Sequence, residues 1–137
     1  MQIILIGDMP PNTREEVKNK RGEEKFWANT PFATPTHWTT EVDLLKEKKI
    51  PVHTFFVDDD AAEEVFRKIA TRTAKAGEAP ICEFLNVKAA SGAMRLKTLV
   101  CERVAYDVGE NSGKSGNLMV DTFRRLKGEG NLGNASL

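Results

Sequence analysis

Residues Ile3 to Ile6 form an unbroken aliphatic run closed by Gly7-Asp8. A strand with one wet face alternates apolar and polar residues. A short continuous run suits a strand covered on both faces, as in a parallel sheet. Parallel strands cannot be joined by a tight hairpin, and each crossover needs a dozen or more residues, usually including a helix. The first strand, Gln2 to Ile6, therefore dictates the kind of chain that follows it.

The rest of the sequence repeats that grammar. Met9-Pro10-Pro11-Asn12 marks a turn, because proline supports neither helix interiors nor central strands. Thr13 to Lys25 is almost wholly charged around Val17 and holds a short exposed helix capped by Asn12 or Thr13. Phe26 to Trp38 gathers Phe26, Trp27, Phe32, His37 and Trp38 between prolines, which predicts an ordered loop. A helix is expected from Thr40 to Lys49, with Val42 and Leu45 inward, then a strand from Val52 to Val57. Asp58-Asp59-Asp60 is expected to cap a helix over 61–73, striped by Ala62, Val65, Phe66, Ile69 and Ala70. After Gly77 and Pro80, Ile81 to Val87 reads as a third strand. Ser91 opens a helix to Val108, with Leu96, Leu99, Val100 and Val104 inward. Asn117 to Lys127 is a last helix, with Leu118, Thr122, Phe123 and Leu126 on one side. Strand and helix alternate throughout, so the expected fold class is α/β: a parallel sheet of about three strands flanked by helices. Residues 1–127 read as one partial domain and 128–137 as a flexible Gly/Asn tail.

Composition narrows the function classes. Equal numbers of basic and acidic residues, 20 each, leave no net charge to attract nucleic acid or an anionic membrane. No stretch is long and apolar enough for a membrane span, and the start lacks a basic leader, so a cytoplasmic setting is expected. Cys82 and Cys101 sit among apolar neighbours and read as free thiols. Asp8, at the C-terminal end of the first strand, is a candidate metal ligand, or else a turn-forming residue bonding nearby backbone N–H groups. Ser112-Gly113-Lys114-Ser115 imitates a phosphate loop. However, position 108 is Val where the motif needs Gly, and a helix precedes the segment where a strand should stand. No nucleophile–base pairing suggests itself, so no enzyme is expected. The aromatic loop either covers the rim of the sheet or offers a contact surface.

Ile3 to Asn12, Ile-Ile-Leu-Ile-Gly-Asp-Met-Pro-Pro-Asn, resembles the fourth strand and following loop of the von Willebrand factor A-like domains, in a subgroup with an IGDxPPN motif. Lys46 to Val57 is similar to that family's penultimate helix–strand unit, Phe66 to Thr73 to the helix after it, and Ile81 to Val87 to its last strand. Thr98 to Gly109 resembles the final helix, and Asn117 to Lys127 the segment that follows it. The resemblance covers only the C-terminal half of such a domain. It implies a partial Rossmann-like fold from which three N-terminal strands are absent, with the first strand's Asp-x-Ser-x-Ser cation loop among them. Asp8 is then the remaining ligand of an incomplete metal site, with no cofactor expected unless another chain supplies the missing ligands for Mg²⁺ or Ca²⁺.

The family's sheet order places its first strand beside its fourth, so Gln2, Ile3, Ile4, Leu5 and Ile6 are expected to form an open apolar edge. Such an edge is a template for association. The expected function is a protein–protein interaction module, a homo-oligomer or a component of a larger assembly, binding through that edge and through Trp27, Phe32 and Trp38. The alternative is a small-molecule or nucleotide-binding α/β protein whose site lies at the strand C-terminal ends and uses Asp8 and Asn12.

Overall fold

The computed structural model describes the chain except residues 59, 78–80, 87–88 and 134–137. Asp59 of the acidic triplet, Pro80, the Val87 end of the expected third strand and residues 134–137 of the expected tail lie outside the described residues, while residues 128–133 of that tail continue the last helix. The elements in chain order are β1 (Ile3–Gly7), α1 (Arg14–Arg21), α2 (Glu24–Trp27), α3 (Trp38–Glu47), β2 (Val52–Val57), α4 (Glu63–Thr73), β3 (Cys82–Leu85), α5 (Ala90–Asn111) and α6 (Gly116–Gly133). The strands make a three-stranded parallel sheet flanked by helices, in the order β1-β2-β3. The chain divides into two compact units, Gln2–Phe84 and Leu85–Leu137. No described helix is long and apolar enough to cross a membrane.

In the first unit everything is organised on β2. Ile3 pairs with Val52, Leu5 with Thr54 and Gly7 with Phe56. Side chains alternate between faces along a strand, so Leu5, Val52, Thr54 and Phe56 share one face. Helices α3 and α4 cover it: Val42, Val52 and Ile69 form one buried cluster, and Phe56, Ala62 and Phe66 another, with Leu5 packed against both. Each such side chain contributes about 1.5–3 kcal/mol on burial. Gly7 lies so close to the Phe66 ring that an added Cβ would stand 3.2 Å from it. The two buried threonine hydroxyls of this core are engaged. The Thr54 hydroxyl donates to the Phe66 carbonyl at 3.2 Å. The Thr73 hydroxyl donates to the Ile69 carbonyl and accepts from the Val52 N–H, both at 2.9 Å. These bonds tie α4 to β2 at two heights. On the other face of β2, Phe55 is 0% exposed and His53 is buried too.

Helix ends depart from expectation in instructive ways. Thr13 caps α1 in a full capping box with Glu16, as the Thr/Glu spacing allows. Bonds from the Thr13 backbone N–H and hydroxyl hold the Glu16 carboxyl below its ordinary range. Helix α4 starts two residues later than expected, after the acidic triplet: its N-cap is Ala62, without a side-chain bond. Asp58 instead ends β2 in the left-handed region, at φ 60°, a conformation that aspartate tolerates better than most residues. Ser91 lies inside α5, whose N-cap is Ala89. Helix α3 closes in a Schellman turn, with Ile50 N–H to Leu45 C=O and Lys49 N–H to Lys46 C=O, both 2.9 Å. That turn puts Lys49 at φ 56°.

The second unit contains the α5–α6 hairpin. Gly113, at φ 72°, ends α5 in a second Schellman turn, with Lys114 N–H to Gly109 C=O at 2.9 Å. The Ser-Gly-Lys-Ser segment is thus a helix stop. The Glu110 carboxylate accepts from the Gly116 N–H at 2.8 Å and so occupies the start of α6. Glu102 takes a two-pronged bond from Arg124 at 2.8 and 2.9 Å, which lowers its pKa from the ordinary value. The helices touch where both lack side chains: a Cβ on Gly116 would stand 2.6 Å from the Tyr106 ring, and one on Gly109 2.8 Å from Met119. That contact rotates α6, so Met119, Val120 and Phe123 are half-buried while Leu118 and Leu126 are exposed. Val104, expected inward on α5, is exposed as well.

Two outcomes follow from these geometries. Gly116→Ala must displace a rigid ring, and overpacking of that kind costs about 1–3 kcal/mol; the midpoint of thermal unfolding followed by far-UV circular dichroism should fall. Lys49→Gly removes a left-handed side-chain penalty and should raise stability in urea titration by about 0.5–1 kcal/mol.

Candidate functional site

The sheet topology leaves β1 at one edge. The Ile3 N–H bonds the Pro51 carbonyl at 2.9 Å, and in a parallel ladder alternate residues point their peptide groups to one side. Ile3, Leu5 and Gly7 thus face β2, and the peptide groups of Ile4 and Ile6 face outward. The side chains of this strand are also unusually open: Ile3 is 37% and Ile6 47% exposed, while Gln2, Ile4 and Leu5 are half-buried. The edge is short and carries neither lysine nor proline within Ile3–Gly7, the usual guards against edge pairing.

The aromatic segment after α1 is a clamped structure. Arg21 stacks over the Trp27 ring at 4.7 Å, and its Nη2 donates to the carbonyls of Phe32 at 2.7 Å and Ala33 at 3.1 Å. Trp27 Nε1 donates back to the Arg21 carbonyl at 2.8 Å. Phe26 stands edge-on to Trp27 at 5.2 Å. Trp27 is thereby half-buried, whereas Phe26 at 72% and Phe32 at 66% exposure project into solvent. Trp38 is the first residue of α3 and packs against the Val42–Val52–Ile69 cluster. The three aromatic residues singled out from sequence therefore do three things: Trp27 holds the loop, Trp38 joins the core and Phe32 is open.

Asp8 is exposed at the end of β1. Among the described residues no group of three or more His, Cys, Asp or Glu side chains is placed to hold a metal ion. The Asn12 side chain accepts from Lys20 Nζ at 2.6 Å. Both cysteines are free and half-buried.

Two grooves open on the first unit, and neither is lined by Asp8 or Asn12. The larger, about 770 Å³, runs along α4 beneath Trp38. Its cations are already matched: Arg67 to Glu63, Lys68 to Glu64 and Arg72 to Asp43. The smaller, about 410 Å³, lies between α1 and the segment 33–37. Arg14, Lys18 and Arg21 line it on one side, with Ala33, Pro35 and His37 opposite. The His37 Nδ1 atom is buried without a hydrogen-bond partner among the described residues. The signal for this groove stands in the sequence: basic residues at i, i+4 and i+7 share one face of a helix.

No protein-family model, no curated protein and no solved structure matches this chain. None of the three comparisons therefore identifies a von Willebrand factor A-like domain.

The clamp is open to test. Arg21→Gln removes the stacked cation and the donor to the two carbonyls. Acrylamide quenching of tryptophan fluorescence should rise, with the far-UV spectrum unchanged; quenching equal to that of the parent would show that Arg21 does not hold the loop.

Proposed function

We propose that the chain is a protein–protein interaction module that pairs with a second copy of itself along the free edge of β1. The observation that carries this reading is the outward row of Ile4 and Ile6 peptide groups on a strand whose side chains are all apolar from Ile3 to Ile6. Antiparallel pairing of two such edges across a two-fold axis joins two three-stranded sheets into one of six. Every side chain added at the seam is aliphatic on both sides. The exposed rings of Phe26 and Phe32, on the segment that follows α1, offer a further apolar surface to a partner.

The resemblance to the C-terminal half of a von Willebrand factor A-like domain supports the same edge, because that family places its first strand beside its fourth. On that reading the second copy occupies the position that the first strand holds in the family, and Asp8 belongs to a degenerate cation site. Mg²⁺ or Ca²⁺ would bind only where another polypeptide brought further oxygen ligands. The module is then a cytoplasmic binding protein rather than an enzyme.

Light scattering coupled to gel filtration at micromolar concentration should give twice the chain mass. Ile4→Pro removes an outward N–H that the β1–β2 ladder does not use, and proline is tolerated on such edges; Ile6→Lys adds an edge charge. Both variants should elute as monomers with the parent's circular dichroism spectrum. A monomeric parent, or folded variants that dimerise equally, would sink the proposal.

A further inference from the structure

The groove between α1 and residues 33–37 holds charge that nothing in the fold neutralises. Arg14, Lys18 and Arg21 converge on it, and its single acidic lining residue is Glu24. Among the described residues Lys18 makes no hydrogen bond or ion pair. Arg14 makes one long bond, 3.4 Å, to the Thr40 hydroxyl. Arg21 spends only Nη2, on the two loop carbonyls, which leaves Nε and Nη1 as donors. The contrast with the groove along α4 is the decisive point: there, each of three cations has an acidic partner. Like charges one turn apart destabilise an isolated helix, so α1 carries a cost along this face that a bound anion would offset.

We propose that this groove binds a small phosphomonoester. Three cations against one carboxylate leave a charge of +2 in the groove, which a phosphoryl dianion balances and a single carboxylate does not. Arg14 and Arg21 present guanidinium forks suited to paired phosphate oxygens, and Lys18 adds a mobile point charge between them. The volume, about 410 Å³, falls in the usual range for small-ligand sites. The Val17 and Pro35 walls then take the carbon skeleton. Arg21 has a double role: its Nη2 bonds fix the wall at Ala33, and its remaining donors are left for the ligand. The site is separate from the β1 edge and does not depend on dimer formation.

The test is titration of the full chain with glycerol 3-phosphate, followed by backbone amide shifts at constant ionic strength. Inorganic phosphate, glycerol and acetate serve as comparison ligands. Saturable shifts are expected at residues 14–22 and 33–37, with glycerol 3-phosphate binding more tightly than inorganic phosphate and acetate weakest. The double variant Arg14→Gln/Lys18→Gln, which spares the Arg21 clamp, should weaken binding about tenfold or more. Lys68→Gln, in the neutralised groove, should leave it unchanged. Shifts that fail to saturate, that acetate reproduces at equal strength, or that survive in the double variant overturn the proposal. Tighter binding of inorganic phosphate alone would refute the assignment of the apolar walls.

Discussion

The first unit depends on one constraint: β2 is buried along nearly its whole length, so every polar group it carries needs a partner inside the protein. The neighbouring strands meet most of that demand through the backbone ladder, and helix α4 meets part of it. Thr73 reaches the first N–H of β2, and the Thr54 hydroxyl reaches the α4 backbone at Phe66. These bonds set the height and rotation of α4 on the sheet. The rotation in turn seats Phe66 over Gly7 and Ile69 against Val42 and Val52. The position of α3 and the room left beside β1 follow from the same arrangement.

Because β2 takes the centre, β1 is left with a partner on one side only. An apolar strand at an edge is an uncompensated feature of the sheet. The unmatched cations of α1 are a second such feature. The cations along the α4 groove differ from them in having acids one turn away on the same helix or on α3. The two departures lie in different places and call for different ligands, an apolar strand in one case and a compact anion in the other.

The α5–α6 hairpin rests on another principle. Its close approach is made by the absence of side chains at Gly109 and Gly116, and its turn is made by Gly113. Hydrophobic spacing alone put Leu118 and Leu126 of α6, and Val104 of α5, on the inner faces. The glycine contact turns α6 so that Met119 and Val120 take their place beside Thr122 and Phe123, which were expected there. Backbone contact outweighs the apolar pattern here because an added Cβ would overlap an aromatic ring.

Apolar runs and helical periods in the sequence determined by themselves the alternation of strands and helices, the α/β class and the inner stripe of α4, while the cap of α1 was narrowed to Asn12 or Thr13. These depend on residues close in the chain, where backbone sterics and spacing suffice. The short helix Glu24–Trp27 was not legible there. Nor were the separate tasks of Trp27, Phe32 and Trp38, or the start of α4 after Ala62. The difference between matched and unmatched cations was hidden for the same reason: Arg14, Lys18 and Arg21 share a helix face by spacing, but only the fold sets residues 33–37 opposite them with a single acid nearby. Burial, charge pairing and the direction of a peptide group are relations between distant segments. Only the tertiary structure decides them, because they arise when β2 and α4 bring those segments together.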